Sequence, residues 1–280
     1  YSDRYLGGIL AIAGHIAGFC DEVTCLTAVG EHNEEVEFIK GHLAENIDFR
    51  YLNKSDSPTI IKRRYIEEYM SSKMVEIDVM NDDPLNDKDE ARFLAMLDKL
   101  VPQYDMVLVA DYGHGLISEE AIKLICEKAK FLALNVQVNP GNYGFNLVSR
   151  YPRADFVIID EPEAQLEMKK KSLDIESVGP ELAAQLQCQA FLLTRGAKGT
   201  VGYAGDDHSY TPVFSTKVVD RIGAGDACLA LTAPCAAIGT PIEILGFIGN
   251  VAGAAACAII GNERTLDPQT IARSISSLLG

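Results

Sequence analysis

The stretch Asp220-Arg221-Ile222-Gly223-Ala224-Gly225-Asp226-Ala227-Cys228 follows a β-prone run and opens a long helix rich in Ala, Leu and Cys. Gly223 and Gly225 let the backbone approach a ligand closely, and the first N–H groups of a helix form an anion site. A carboxylate at Asp226 is itself electrostatically favoured at such a helix start. The same residues would also suit a tight glycine turn with Asp226 as a simple N-cap, and the stretch alone leaves both arrangements open. It is neither Gly-x-x-x-x-Gly-Lys-Ser/Thr nor Gly-x-Gly-x-x-Gly, and the chain contains no Gly-x-Ser-x-Gly and no His-Glu-x-x-His.

Upstream, the rhythm is that of an α/β protein. Apolar runs at Val23–Val29, Met106–Ala110, Leu134–Val138, Phe156–Ile159 and Phe191–Thr194 read as buried strands. Helices are predicted from Gly7-Gly8 to about Phe19, over Glu34–Glu45, Lys88–Leu100 and Glu119–Lys130, from Pro162, and over Pro180–Leu186. Alternation of this kind predicts βαβ units and a mainly parallel sheet flanked by helices. Phe49–Leu52, Thr59–Ile66 and Lys73–Val79 carry interspersed charges and read as a small β-strand lid over residues 49–80. Thr200–Ala204 and His208–Val219 suggest a β-ribbon, and Gly223–Leu279 is helical with breaks near Gly239-Thr240-Pro241 and Gly261-Asn262. Without repeat, linker or low-complexity tract, residues 1–280 are expected to form a single domain. No apolar strand precedes Gly7-Gly8, so the sequence reads as beginning partway through a structural unit.

Composition narrows the function. The 280 residues are 48% hydrophobic and 23% charged, enough for a real core and incompatible with disorder or collagen. A net charge of −15 repels phosphate backbones and anionic lipid, so neither nucleic acid nor membrane is expected as a partner, and it also serves solubility. Seven cysteines without Cys-x-x-Cys and five scattered histidines point to buried thiols in a cytoplasmic protein. No secretory leader is visible at the start. The apolar stretch Ile244–Ile260, interrupted by Asn250, is short for a membrane span and rich in Gly and Ala, as in a close-packed interior helix.

Asp-Arg-Ile-Gly-Ala-Gly-Asp at 220–226 resembles the C-terminal signature of the PfkB, or ribokinase-like, carbohydrate kinases. Gly7-Gly8, Asp160-Glu161-Pro162-Glu163, Thr194-Arg195-Gly196-Ala197-Lys198-Gly199 and Asn250 resemble further segments of that family, in order. Pro58-Thr59-Ile60-Ile61-Lys62-Arg63-Arg64, Asp111-Tyr112-Gly113-His114-Gly115 and Asp3-Arg4-Tyr5 are similar to its heptose-phosphate kinase branch. The resemblance covers nearly the whole chain, short of a first strand and of much of the lid expected between Tyr5 and Leu6.

The resemblance implies a ribokinase-like fold and an ATP- and Mg²⁺-dependent phosphotransferase acting on a sugar or sugar phosphate. Asp226 would be the general base, and the N–H groups of Gly223, Ala224, Gly225 and Asp226 would face the transferred phosphoryl. Asp160 and Glu163 would organise Mg²⁺. Thr194, Gly196, Gly199 and Asn250 would border the nucleotide. Asp3, Gly8, Lys62, Arg64, Asp111 and His114 would face the acceptor. Lid strands would pair two copies as a homodimer. Four departures bear on specificity: Ala11 replaces an Asn of the sugar site, Asn139-Pro140-Gly141 an Asp-Pro-Lys, His114 a Lys, and Asp160 an Asn. Polar groups lost from a binding site shift specificity strongly. A nucleoside or hexose phosphate kinase, or a non-catalytic ligand-binding or scaffold domain, is the alternative. His114 could equally be a turn residue, and Lys62 and Arg64 ordinary solvated charges.

Overall fold

A computed structural model describes residues 2–67, 72–139, 141–205, 207–214 and 218–279. Residues 68–71, Pro140 and residues 215–217, which fall within the expected lid, the Asn-Pro-Gly turn and the second ribbon strand, lie outside the described residues.

The chain begins with α1 (Ile9–Ala17), β1 (Val23–Gly30), α2 (Val36–His42) and β2 (Ile47–Lys54). β1 and β2 are parallel, in register from Val23↔Ile47 to Gly30↔Lys54, so α2 is the crossover of a βαβ unit. This corrects the assignment of Phe49–Leu52 to the lid. The charges that suggested a lid strand, Asp48 and Arg50, pair with each other on the exposed side at 2.7 Å, whereas Ile47 and Leu52 are buried.

The lid is a single antiparallel hairpin, β3 (Ile61–Glu67) and β4 (Ser72–Val79), with a bulge between Tyr65 and Ile66. Strand alternation gives it two unlike faces. One carries Lys62 opposite Asp78 and Arg64 opposite Glu76, joined as ion pairs. On the other, Tyr65 lies opposite Val75 and Arg63 opposite Ile77, and these three apolar side chains are exposed.

The remaining elements are α3 (Asp87–Leu100), β5 (Val107–Asp111), α4 (Glu119–Lys128), β6 (Leu132–Val136), β7 (Ala154–Asp160), α5 (Glu161–Glu167), α6 (Ile175–Leu186), β8 (Cys188–Thr194), β9 (Thr200–Ala204), β10 (Asp207–Thr211), α7 (Ala224–Ala237), α8 (Ile242–Ala256) and α9 (Pro268–Leu279). β6 lies two residues earlier than expected, because its register with β5 runs Val107↔Leu132 to Asp111↔Val136. α6 starts at Ile175 and contains Pro180 in its interior, with Val178 and Leu182 buried in the core. The second ribbon strand ends at Thr211.

These strands form a six-stranded sheet in the order β10-β9-β8-β7-β6-β5, parallel from β5 to β8 and antiparallel at β9 and β10. Both faces are buried, which explains the uninterrupted apolar runs. Leu132, Leu134, Val157, Ile159, Phe191 and Leu193 pack under α3 to α6, and Ala133, Phe156, Ile158 and Leu192 pack under α1, α7 and α8. The parallel strands therefore end side by side at one edge, with Asp111 next to Val136 and Asp160 next to Thr194. Ligands of open α/β sheets bind at that edge. Among the described residues, no helix is long and apolar enough to cross a membrane.

Candidate active site

Gly223 caps α7 at φ 80°, a left-handed conformation that favours glycine, and a Cβ there would lie 2.6 Å from Asn262 Oδ1. The loop before it is tied down on both sides. Asp220 accepts from the N–H of Ile222 (3.0 Å) and of Gly261 (2.9 Å), while Asn262 Nδ2 donates to Leu6 O (3.0 Å). Asp226 thus falls in the first turn of α7 and is not the N-cap, so the plainer arrangement is not the one adopted.

Its carboxylate turns toward the sheet edge. Asp226 Oδ1 accepts from Tyr112 Oη at 3.2 Å and from Gln137 Nε2 at 3.0 Å. Burial pushes the Asp226 carboxyl above its ordinary range, and the two hydrogen bonds hold it down. Gly8, at φ 54°, lets the N-terminal segment close on the same place, where a Cβ would lie 3.4 Å from the Tyr112 ring. Tyr112 and Gln137 thereby meet at Asp226, with Gly8 against the Tyr112 ring, although Gly8 and Asp226 come from opposite ends of the chain.

Asp111 is the last residue of β5, and His114 lies in the turn that follows it. The structure turns Asp111 inward: it is 4% exposed and accepts from Tyr151 Oη (2.9 Å) and Gly113 N (2.9 Å), with Arg150 3.6 Å away. Through Gly113 N it also ties down the start of the turn. His114 stacks on Tyr112 with centroids 6.5 Å apart, and its Nδ1 is buried without a hydrogen-bond partner among the described residues. Burial and the Lys62 ammonium lower its pKa, against Asp82, Asp78 and Asp111. Lys62 and Asp78, from the charged face of the lid, are thus among the groups whose charge acts on the His114 ring. Asn139 donates to Tyr112 O (2.8 Å) and accepts from Gly141 N (2.9 Å), so it too organises the turn.

Asp160 and Glu163 form a capping box at the start of α5. Asp160 Oδ1 accepts from Glu163 N (2.7 Å), and Glu163 accepts from Asp160 N and Val138 N, both at 3.1 Å. Burial and the adjacent Asp160 charge push Glu163 up to about 7, and burial raises Asp160 as well. Among the described residues no three His, Cys, Asp or Glu side chains converge as a metal site. Two adjacent carboxylates whose charge is disfavoured by burial nevertheless suit Mg²⁺, which needs only one or two protein carboxylates when phosphates and water complete its shell.

Thr194 ends β8 beside Asp160. Gly196 (φ 54°) opens a short turn with free space where a Cβ would stand, whereas a Cβ on Gly199 (φ 85°) would lie 2.2 Å from Thr211 O. Asn250, on α8, donates to Gly246 O at 3.0 Å and Thr211 O at 3.5 Å, so it borders the same strand ends. Lys62 and Arg64 are engaged by Asp78 (2.9 Å) and Glu76. Asp3 is exposed in the N-terminal segment, and its neighbour Arg4 pairs with Glu35 and stacks over Phe38 at 4.2 Å. The residues that sequence reasoning missed are Tyr112 and Gln137. Tyr112 lies inside the Asp-Tyr-Gly-His-Gly motif. Nothing local marks Gln137, whose partner is 89 positions away.

The sequence profile described as pfkB family carbohydrate kinase matches residues 4–267. The bifunctional protein HldE of Shewanella sp. (strain ANA-3) is 27% identical over 258 residues, covering 91% of this chain and 52% of that protein. HldE of a Nitratiruptor species is 23% identical over 259 residues, covering 91% and 54%. The chain thus spans about half the length of these curated relatives. Among solved structures, phosphofructokinase-2 from Escherichia coli in complex with substrates and products superposes with a TM-score of 0.77 at 13% identity, covering 96% of this chain and 87% of that one. Ribokinase from Thermotoga maritima gives 0.73 at 14% identity, covering 96% and 85%.

Proposed function

The chain belongs to the pfkB family of carbohydrate kinases, and we propose that it transfers the terminal phosphoryl group of ATP to a hydroxyl of a sugar or sugar phosphate, with Asp226 as general base. The observation that carries this reading is the Asp226 carboxylate, held by Tyr112 and Gln137 in the first turn of α7 at the edge where the parallel strands end. As the acceptor oxygen bonds to phosphorus and the bond to the ADP oxygen breaks, the acceptor proton passes to Asp226. A carboxylate is a weak base, but phosphoryl transfer depends mainly on positioning and charge neutralisation. The N–H groups at Gly223 to Asp226 would offer that neutralisation to the transferred group, Ala224 giving up its 3.4 Å bond to Arg221 O to do so. Thr194, Gly196, Gly199 and Asn250 would seat the nucleotide. Asp160 and Glu163 would hold Mg²⁺, which when bound offsets the triphosphate charge.

Gly8 and His114 would face the acceptor, with Asp3 closing from the N-terminal segment and Asp111 shaping the turn beneath. The resemblance to the heptose-phosphate branch makes a heptose phosphate the first acceptor to test. One observation favours a second reading, an acceptor without a phosphate: Lys62 and Arg64, which would receive that phosphate, are already paired with Asp78 and Glu76. Pairing of two copies through the lid is supported by the exposed Tyr65, Val75 and Ile77 on its outer face.

Calorimetric titration with Mg·ATP followed by an ATP-coupled panel of sugars and sugar phosphates tests the proposal. Binding and turnover of at least one acceptor are expected, and no binding at millimolar nucleotide would leave a non-catalytic domain as the reading. Asp226→Asn should keep nucleotide affinity and lose roughly 10²–10⁴-fold in kcat. Undiminished turnover in that variant would remove Asp226 from the base role.

A further inference from the structure

Gln137 lies one residue beyond β6, and its backbone N–H donates to Asp111 O at 2.8 Å, extending the parallel pairing and fixing where its side chain starts. Its amide nitrogen donates twice, to Asp226 Oδ1 and to Asn135 Oδ1, each at 3.0 Å. Asn135 is 8% exposed and donates in turn to Ile158 O on β7 at 2.9 Å. Residues 135 and 137 share a face of the strand, so a continuous chain of hydrogen bonds runs from the β7 backbone to the Asp226 carboxylate. An ionised carboxylate can only accept, so the amide must present its nitrogen, and with both hydrogens committed its orientation is set. Tyr112 donates to the same oxygen, and among the described residues no hydrogen bond reaches Oδ2.

We propose that Gln137 is a positioning residue for Asp226, anchoring Oδ1 through Asn135 so that Oδ2 is the oxygen presented to the acceptor hydroxyl. This rests on Asp226 being the base. The titratable group touching Asp226 is the Tyr112 phenol, with the Cys25 thiol beyond it, and no charged side chain shifts the Asp226 carboxyl.

The test is the Asp226 titration in Gln137→Leu and Gln137→Met, read by carbon-detected NMR of the carboxyl resonance that disappears in Asp226→Asn. It requires no acceptor. Loss of one hydrogen bond to a charged group should raise the midpoint by about one pH unit. With an acceptor that passes the coupled panel, kcat should fall about tenfold, its acidic limb should move up by the same interval, and the KM for ATP should not change. Thermal melting and Mg·ATP calorimetry identify whichever of the two variants is folded. A midpoint unmoved in the folded variant, with Asp226→Asn inactive, overturns the role of Gln137 alone. A kcat loss matched by a rise in the KM for ATP overturns it as well, since that is the mark of a distorted site. Turnover retained by Asp226→Asn overturns both assignments.

Discussion

At Gly223 two constraints act on one residue. Its φ of 80° strains any L side chain, and a Cβ would press on the Asn262 oxygen whose amide holds Leu6. Gly223→Ala should therefore cost about 1–3 kcal/mol in chemical denaturation and reduce turnover beyond what the stability loss explains, because the loop carrying the α7 N-terminus must move. The residue scale is also where sequence and structure part. The glycines and the carboxylate at 223–226 were legible because helix-start chemistry is local. Gln137 was not, because an amide acquires meaning only from the partner it reaches.

Elements show the same division. The α5 start was visible as Asp-x-x-Glu, and the capping box makes a prediction for Asp160→Asn. The amide oxygen still accepts the Glu163 N–H, so stability should change by less than about 0.5 kcal/mol. Removing the Asp160 charge should bring Glu163 down from about 7, as read by carboxyl NMR. In the lid, the Lys62–Asp78 pair is about one-third exposed on each side, so Lys62→Ala should shift stability by less than about 1 kcal/mol. The informative readout is the acceptor KM. If the acceptor carries a phosphate, Lys62→Ala should raise its KM about tenfold or more, whereas an uncharged sugar should be nearly unaffected. The lid itself was half legible. Alternating charge marked β3 and β4 correctly and misplaced β2, because exposed alternation looks alike on a hairpin and on one side of a parallel strand.

For the whole molecule, His15 on α1 is instructive, since it is 3% exposed and its Nδ1 accepts from Leu266 N at 3.0 Å. That bond spans 251 positions and joins the first helix to the segment before the last. Burial lowers the His15 pKa from the ordinary 6.5 to about 4. The unfolded chain therefore takes up the proton first, and the stabilisation present above about pH 6.5 is lost as pH falls toward 4, on the order of 3 kcal/mol. Glu163 acts in the opposite sense, its raised pKa favouring the folded state at low pH and withdrawing that support toward 7. The readout is thus the difference between wild type and His15→Asn, which keeps an acceptor for Leu266 N. Urea midpoints of the variant should lack the His15 part of the decline between pH 6.5 and 4.

By itself the sequence determined the alternation of buried strands with helices and the Gly-Ala-Gly-Asp helix start. It also carried the carboxylate pair at 160 and 163. Each is encoded by periodicity or by chemistry within a few residues. Only the tertiary structure decided that β2 belongs beside β1, that Asp111 faces inward, that Lys62 and Arg64 are met by acidic partners, and that Tyr112 and Gln137 converge on Asp226. Those outcomes depend on strand register and on the packing of segments distant in sequence. The physical reason is that a side chain's environment is set by what the fold brings against it, which no local pattern records.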